Sequence, residues 1–248
     1  MYNFLRFVKR SMYTVIFLLR FPFIFPDFLR FKAKDTKKRF PIPFASIMPV
    51  LFESIPFTRF DTHYIYHTAW AARKVREIGA KEHTDISSSL YFSSIVSAFV
   101  PVKFYDFRPA TLNLPSLTSM QANLTKLHFE DNSIPSLSCM HTVEHVGLGR
   151  YGDAIDPEGD IEAVNELARV VAVGGSLLFV VPIGKARIQF NAHRIYSYQM
   201  VLDMFPSLTL KEFSLIPDNA LEKGMIYNAT KEQSDRQSYG CGCFWFTK

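Results

Sequence analysis

His141, Glu144 and His145 stand in the spacing H-x-x-E-H. On a long helix that spacing sets two imidazoles one turn apart with a carboxylate beside them, the arrangement of a zinc-dependent hydrolase. Two other acids, Asp85 and Asp106, are 21 positions apart. An acidic residue about 20 positions after the start of a nucleotide-binding unit is placed to accept hydrogen bonds from ribose hydroxyls. His193 and Arg194 form a further polar pair, and Cys241-Gly-Cys243 could be half a metal site. With no second cysteine pair, Cys241-Gly-Cys243 reads as strand packing, and no bound metal is expected.

The elements that carry these residues decide among the chemistries. The buried run "SLSCM" precedes His141, the turn "EDNSIP" precedes that run, and glycines follow at 147, 149 and 152. No room is left for a zinc-binding helix, so the hydrolase reading falls and residues 141–145 become the end of a strand. Helix, strand, helix and strand follow one another from "HYIYHTAWAARKVREIG" through "KEHTDIS", "SLYFSSIVSAF" and "VKFYDF". "SMQANL" and "SLSCMHT" are further strands. "GDIEAVNELARVVAVGG" is the clearest helix, with Ile161, Val164, Leu167, Ala168 and Val171 on one face and Gly174-Gly175 as its stop. "SLLFVVP" is apolar throughout, as in a parallel strand covered on both faces. "LTLKEFSLIPD" and "YGCGCFWFTK" read as an antiparallel pair at the sheet edge. The alternation specifies an α/β fold with a doubly wound, mostly parallel sheet.

The 248 residues carry a net charge of +5, but residues 1–40 alone hold ten Lys/Arg against Asp27 and Asp35, which leaves the remainder at −3. That segment also has eleven aromatic residues, and its longest uncharged run, Ser11 to Leu19, is too short to span a bilayer. Aromatic rings interleaved with basic side chains suit an anionic membrane surface. Residues 1–57, ending in the proline-rich stretch 40–57, are therefore expected to form an appendage and linker, and residues 58–248 the folded domain. Three sparse cysteines point to a reducing, cytoplasmic setting, and the aromatic-basic segment to a peripheral place at the inner face of a membrane. No nucleic-acid partner is expected from the −3 body.

Taken in order, "HTDISSS", "FYDFRP", "ANLTKLHFEDNSIPSLSCMHTVEHV", "ELARVVAVGGSLLFVVP" and "NAHRIYS" resemble a class I S-adenosylmethionine-dependent methyltransferase. "HYIYHTAWAARK", "CMHTVEHVGLGRYGDAIDPEGD" and "VPIGKARIQFNAHRIYS" are closer to a methyltransferase-like family catalogued only as a domain of unknown function. The resemblance covers about residues 60–248. It implies a Rossmann-like, class I methyltransferase sheet carrying the N-terminal aromatic-basic appendage, with S-adenosylmethionine as cofactor. Asp85, Ser87 and Ser89 would form the first-strand loop at the methionine moiety, Asp106 would hold the ribose, and Asn123 and Leu124 would flank the adenine. Ser87 stands where such a family usually has glycine, and its Cβ hinders positive φ and close backbone approach. His141 would face the cofactor at the end of the fourth strand.

Methyl transfer from a sulfonium needs alignment and, for a hydroxyl acceptor, removal of a proton. His145 and His193 are the candidate bases, with Glu144 as base or orienter. Arg150, Tyr151 and Asp153, from the glycine-rich loop "GLGRYGDAIDPEGD", are candidate acceptor contacts, and so is Arg194. A small-molecule or glycan acceptor is expected, such as a hydroxyl of a glycan or lipid-linked sugar. A different class is also open: a catalytically inactive, methyltransferase-like binding or scaffolding protein at the membrane surface, which Ser87 favours. A nicotinamide enzyme is disfavoured, because no G-x-G-x-x-G follows the first strand.

Overall fold

The computed structural model describes Leu19, residues 21–51 and residues 53–248. The chain divides between Arg59 and Phe60 into two compact units. In the first, residues 21–34 are helical, Phe44–Ser46 makes one 3-10 turn, and the rings of Phe21, Phe25, Phe28 and Phe44 cluster at centroid distances of 5.0 to 6.4 Å. Residues 1–18 and Arg20, which carry much of the expected membrane-surface segment, lie outside the described residues. Among the described residues no helix is long and apolar enough to cross a membrane.

The second unit is built on a seven-stranded sheet. Its strands are β1 (His83–Ile86), β2 (Val102–Asp106), β3 (Leu117–Gln121), β4 (Ile134–Met140), β5 (Val171–Ile183), β8 (Thr209–Ile216) and β9 (Gly240–Thr247). Their order is β3-β2-β1-β4-β5-β9-β8. The pairs from β3 through β5 are parallel, and β9 is antiparallel to both β5 and β8. The last two strands do pair antiparallel, but only β8 is at the edge, because β9 is inserted inside the sheet beside β5. A separate hairpin, β6 (Arg187–Gln189) with β7 (His193–Ile195), was not anticipated by the sequence pattern.

Helices cover both faces. On one face α1 (Thr62–Ile78) and α2 (Leu90–Val96) bury Trp70, Ala71, Val75, Phe92 and Val96 against Phe104, Val180, Cys243 and Trp245. On the other, α3 (Gly159–Val170) and α4 (Tyr198–Met204) bury Val164, Leu167 and Val201 against Ile86, Leu137, Phe179 and Phe244. The short helices α5 (Ala220–Lys223) and α6 (Lys231–Asp235) decorate the β8–β9 connection. Asp61 caps α1 by accepting from the Tyr64 N–H, and Gly79 ends it at φ 67°. Those two devices fix where the first turn of α1 lies, which matters below. The helix expected to run to Gly174-Gly175 stops at Val170. Val171 is already extended and paired with Ile134, and the glycines sit where the β4–β5 register shifts. Consecutive β-branched valines favour strand over helix, and Ile161, placed on the core face by periodicity, is 40% exposed.

Candidate active site

The strand order turns back between β1 and β4, and ligands of open α/β sheets bind beyond the carboxyl ends of strands at such a point. A cleft of about 560 Å³ opens there. Its walls include Ser87 after β1, Asp106 at the end of β2, Ala122 to Thr125 after β3, and His141 and Thr142 after β4. The loop after residue 145 closes the other side with Gly147, Tyr151 and Asp153.

Each wall residue is set by local chemistry. Asp106 Oδ1 accepts from the Arg108 N–H at 2.7 Å, which shapes the turn after β2. Asn123 Oδ1 accepts from both the backbone N–H and the hydroxyl of Thr125 at 3.1 Å, so the amide has its NH2 group to offer a base. Leu124, 7% exposed, supplies an apolar wall. Ser87 and His141 both adopt left-handed backbone, at φ 57° and 53°. Thr142 Oγ1 donates to the Ser87 carbonyl at 2.8 Å, tying the ends of β1 and β4 together.

Serine in a left-handed turn costs about 1 kcal/mol relative to glycine, and its Cβ occupies the cleft wall. Ser87→Gly is expected to tighten binding of S-adenosylhomocysteine by several-fold while changing stability by less than about 1 kcal/mol. Calorimetric titration of both proteins checks this, and equal affinities would mean that this backbone does not approach the ligand.

Three of the residues expected at the cofactor or acceptor lie elsewhere. Asp85 is fully buried beneath the cleft, accepting from Ser138 Oγ and Ser93 Oγ, both at 2.5 Å. Ser138 Oγ donates to that carboxylate, so it accepts from His83 Nε2 at 2.9 Å. His83 Nδ1 then accepts from Ser136 Oγ at 2.8 Å. Strand alternation is the cause: His83 and Asp85 share one face of β1 opposite Ser136 and Ser138 of β4. Burial raises the Asp85 pKa to about 6 despite its serine partners, and burial lowers that of His83 to about 3. Ser89 precedes α2 as its N-cap and lines neither this cleft nor the neighbouring pocket. Arg194 is 5% exposed and spans the Val146 and Pro157 carbonyls and Asp160, so it braces the loop rather than meeting an acceptor. Asp153 does line the cleft, but its carboxylate accepts from the N–H groups of Gly147 and Tyr151 at 2.8 and 3.1 Å and so folds its own loop.

A second pocket, of about 680 Å³, adjoins the first and shares His141, His145 and Tyr151 with it. Glu144, Arg150 and His193 line it, together with His63 and Tyr64 of α1 and Tyr239. H-x-x-E-H is folded as a strand end and one 3-10 turn, Val143–His145, which presents all three side chains toward this pocket. His145 Nδ1 lies 2.7 Å from the Ala192 carbonyl, which fixes a proton there and leaves Nε2 as the basic nitrogen. Burial lowers its pKa, with Glu144 opposing, so the ring is neutral at pH 7. His193 is lowered in the same way, and its buried Nε2 has no partner among the described residues. Tyr151 is packed against the guanidinium groups of Arg108, at 4.7 Å, and Arg150, at 5.1 Å, which pins the loop between the two pockets.

His63, His67, Tyr64 and Tyr239 were not identified from sequence. They enter through α1 and the start of β9, far along the chain from residues 141–145, so no local spacing marks them. His141 is the hub: Nδ1 is 2.8 Å from Glu144 Oε1, and Nε2 is 3.4 Å from Cys241 Sγ. Burial alone would lower the His141 pKa, but the Cys241 sulfur and the Glu144 carboxylate outweigh it and hold the ring above its ordinary value.

The segment that carries the 141–145 turn, the glycine-rich loop and the β6–β7 hairpin is also the part of the chain that a family model matches. Residues 116–232 match the model of the family described as Caenorhabditis protein of unknown function, DUF268. The resemblance to a family catalogued as a domain of unknown function is thereby met. The DUF268 match runs from the residue before β3 into α6, so it contains Asn123, His141, Glu144, His145 and His193 and leaves Asp106 and Cys241 outside. No curated protein is detectably similar in sequence. Among solved structures, the N-methyltransferase NodS from Bradyrhizobium japonicum with S-adenosyl-L-homocysteine is 12% identical, with a TM-score of 0.49 over 72% of this chain and 84% of its own. A TehB-like SAM-dependent methyltransferase from Corynebacterium glutamicum is 13% identical, with a TM-score of 0.47 over 74% and 88%. The cyclase SpnF is 10% identical, with a TM-score of 0.48 over 73% and 79%.

Proposed function

We propose that the protein is an S-adenosylmethionine-dependent methyltransferase acting on a hydroxyl group. One observation carries this reading: two adjoining pockets at the carboxyl ends of the strands share a wall made by His141, His145 and Tyr151. The first pocket suits the nucleoside end of the cofactor. Asp106 offers a carboxylate for a vicinal diol, Asn123 offers donors, Leu124 and Ala122 offer apolar surface, and the volume is within the range of small-ligand sites. Bound there, S-adenosylmethionine supplies an electrophilic methyl group.

The rest of the chemistry falls to the chain's own side chains. His145 Nε2, held by the Nδ1 contact to Ala192 O, takes the proton of an acceptor hydroxyl in the second pocket. Arg150 and Tyr151 bind and orient that acceptor, and the pinned loop excludes water. Tyr64, Tyr151 and Tyr239, with Asp61 and Asp218 on the same walls, present aromatic faces and carboxylates together. That lining favours a sugar hydroxyl, as in a glycan or a lipid-linked sugar.

The test is formation of S-adenosylhomocysteine from S-adenosylmethionine across a panel of sugars and glycosides. Turnover is expected with at least one of them, and His145→Gln should lower it by about 10² or more at unchanged cofactor affinity. Undiminished turnover in His145→Gln would remove its role as base. Failure of the folded protein to bind cofactor at all would overturn the methyltransferase reading in favour of a binding role for this rim.

A further inference from the structure

Five of the seven histidines gather in one corner of the molecule. On α1, His63 stacks on His141 at 5.5 Å and His67, one turn on, meets it edge-on at 5.0 Å, while His145 contacts His193 at 6.4 Å. Tyr239 joins the two groups, at 5.3 Å from His63 and 5.1 Å from His193. Methyl transfer as argued above uses only His145 of these. At the centre, one nitrogen each of His63 and His141 and the sulfur of Cys241 all lie within 4.8 Å of one another.

We propose that His63, His141 and Cys241 form a zinc-type metal site whose fourth position opens into the second pocket. The Cys241 Sγ to His141 Nε2 separation of 3.4 Å is close to the roughly 3.5 Å between two ligands of a tetrahedral zinc bonded to sulfur and imidazole. His63 closes the remaining gap from the first turn of α1, where its side chain is only half-buried. Two imidazoles and a thiolate are the donor set that zinc prefers over hard cations. His141 carries the outer contact that orients a metal ligand, its Nδ1 held by Glu144 Oε1 at 2.8 Å.

A second observation is a buried carboxylate oxygen beside the site that lacks a partner. Glu144 is 1% exposed, and its Oε2 has no partner among the described residues. Among the described residues, the groups within ion-pair range of Glu144 are the imidazoles of His141 and His145. With His141 Nε2 on a metal, its Nδ1–H still donates to Glu144 Oε1, and a divalent ion would balance this buried carboxylate together with a Cys241 thiolate. His63 and His141 line the second pocket while Cys241 lies behind them, so the ion would sit in the pocket floor with one face open to water or an acceptor. The site stands on these residues alone and does not depend on what the first cleft holds.

The full chain, prepared without a polyhistidine tag, should retain about one zinc per molecule after dialysis. Cobalt(II) titrated into the metal-free protein should give a thiolate-to-metal charge-transfer band and the absorption of a tetrahedral ion. Cys241→Ser keeps a hydrogen-bonding group beside His141 but should abolish the charge-transfer band. His63→Gln, at a half-exposed helix position, should weaken zinc at least tenfold without unfolding the domain. Absence of both retained zinc and the cobalt band, or equal zinc affinity in wild type, Cys241→Ser and His63→Gln, would overturn the site and leave a plain cysteine–histidine hydrogen bond. S-adenosylhomocysteine titration in the same samples separates this outcome from failure of the methyltransferase reading.

Discussion

Asp106→Ala is expected to weaken S-adenosylhomocysteine binding by 30-fold or more, from a micromolar starting affinity of about −8 kcal/mol. A carboxylate that accepts from both hydroxyls of a ribose makes two charge-assisted hydrogen bonds, each contributing about 1.5–3 kcal/mol. The same side chain shapes the turn after β2 through its contact with the Arg108 N–H, so alanine removes two roles at once. Asp106→Asn separates them. Asparagine preserves the turn bond and forfeits the charge, so its loss of affinity should be intermediate and its melting temperature unchanged. Calorimetric titration of the three proteins checks this ordering. Equal affinity in wild type and Asp106→Ala would place the ribose elsewhere.

The second large effect concerns Asp85, which the sequence resemblance assigned to the cofactor and the structure buries among serines. Its pKa is raised to about 6 by burial, against an ordinary aspartate value of about 3.9 in the unfolded chain. Between those two values the folded protein holds a proton that the unfolded chain has released, so stability falls as pH rises from about 4 to about 6 and is level above. Two units correspond to about 3 kcal/mol. His83 acts in the opposite sense: its pKa is depressed to about 3, so its contribution is lost as pH falls below about 6.5. Comparing wild type with Asp85→Asn by denaturant unfolding isolates the carboxyl. The variant should gain about 3 kcal/mol on wild type between pH 4 and pH 7, while its affinity for S-adenosylhomocysteine stays the same. A difference that is flat with pH would show that Asp85 ionises normally in the folded state.

The two aspartates show what kind of information the sequence carries. Asp106 is the last residue of its strand, at the sheet's carboxyl edge where ligands bind, and position alone finds it. Asp85 is one residue short of its strand end, and period-2 alternation turns it to a covered face. The signal was present as H-x-D in β1 and S-x-S in β4, two polar alternations inside otherwise buried strands. The sheet itself was legible because "SLLFVVP" and its neighbours are apolar beyond what a solvent-facing strand tolerates. The end of α3 was not, because Gly174-Gly175 looks like a helix stop and the preference of Val170 and Val171 for extended backbone is weaker evidence than a double glycine. The histidine cluster could be read only in part: His141, His145 and His193 stood out at strand ends, but their closeness to His63, His67 and Cys241 did not. The histidines come from α1, the end of β4 with the turn after it, and β7, with Cys241 arriving on β9, and long-range closure of a sheet leaves no trace in local spacing. H-x-x-E-H was correctly denied a helix: its residues form a strand end and one 3-10 turn.

β9 lies inside the sheet, antiparallel between β5 and β8. Until residues 240–247 arrive, therefore, β8 has no partner in the sheet and β5 presents an unsatisfied row of amide and carbonyl groups. That row is apolar on both sides and is a template for any extended chain. Only when residues 240–247 slot into it is the sheet sealed and Cys241 brought to His141. Species that have not yet taken up β9 are thus the ones most exposed to aggregation. The same insertion that completes the histidine corner is also the step on which solubility of the nascent domain depends.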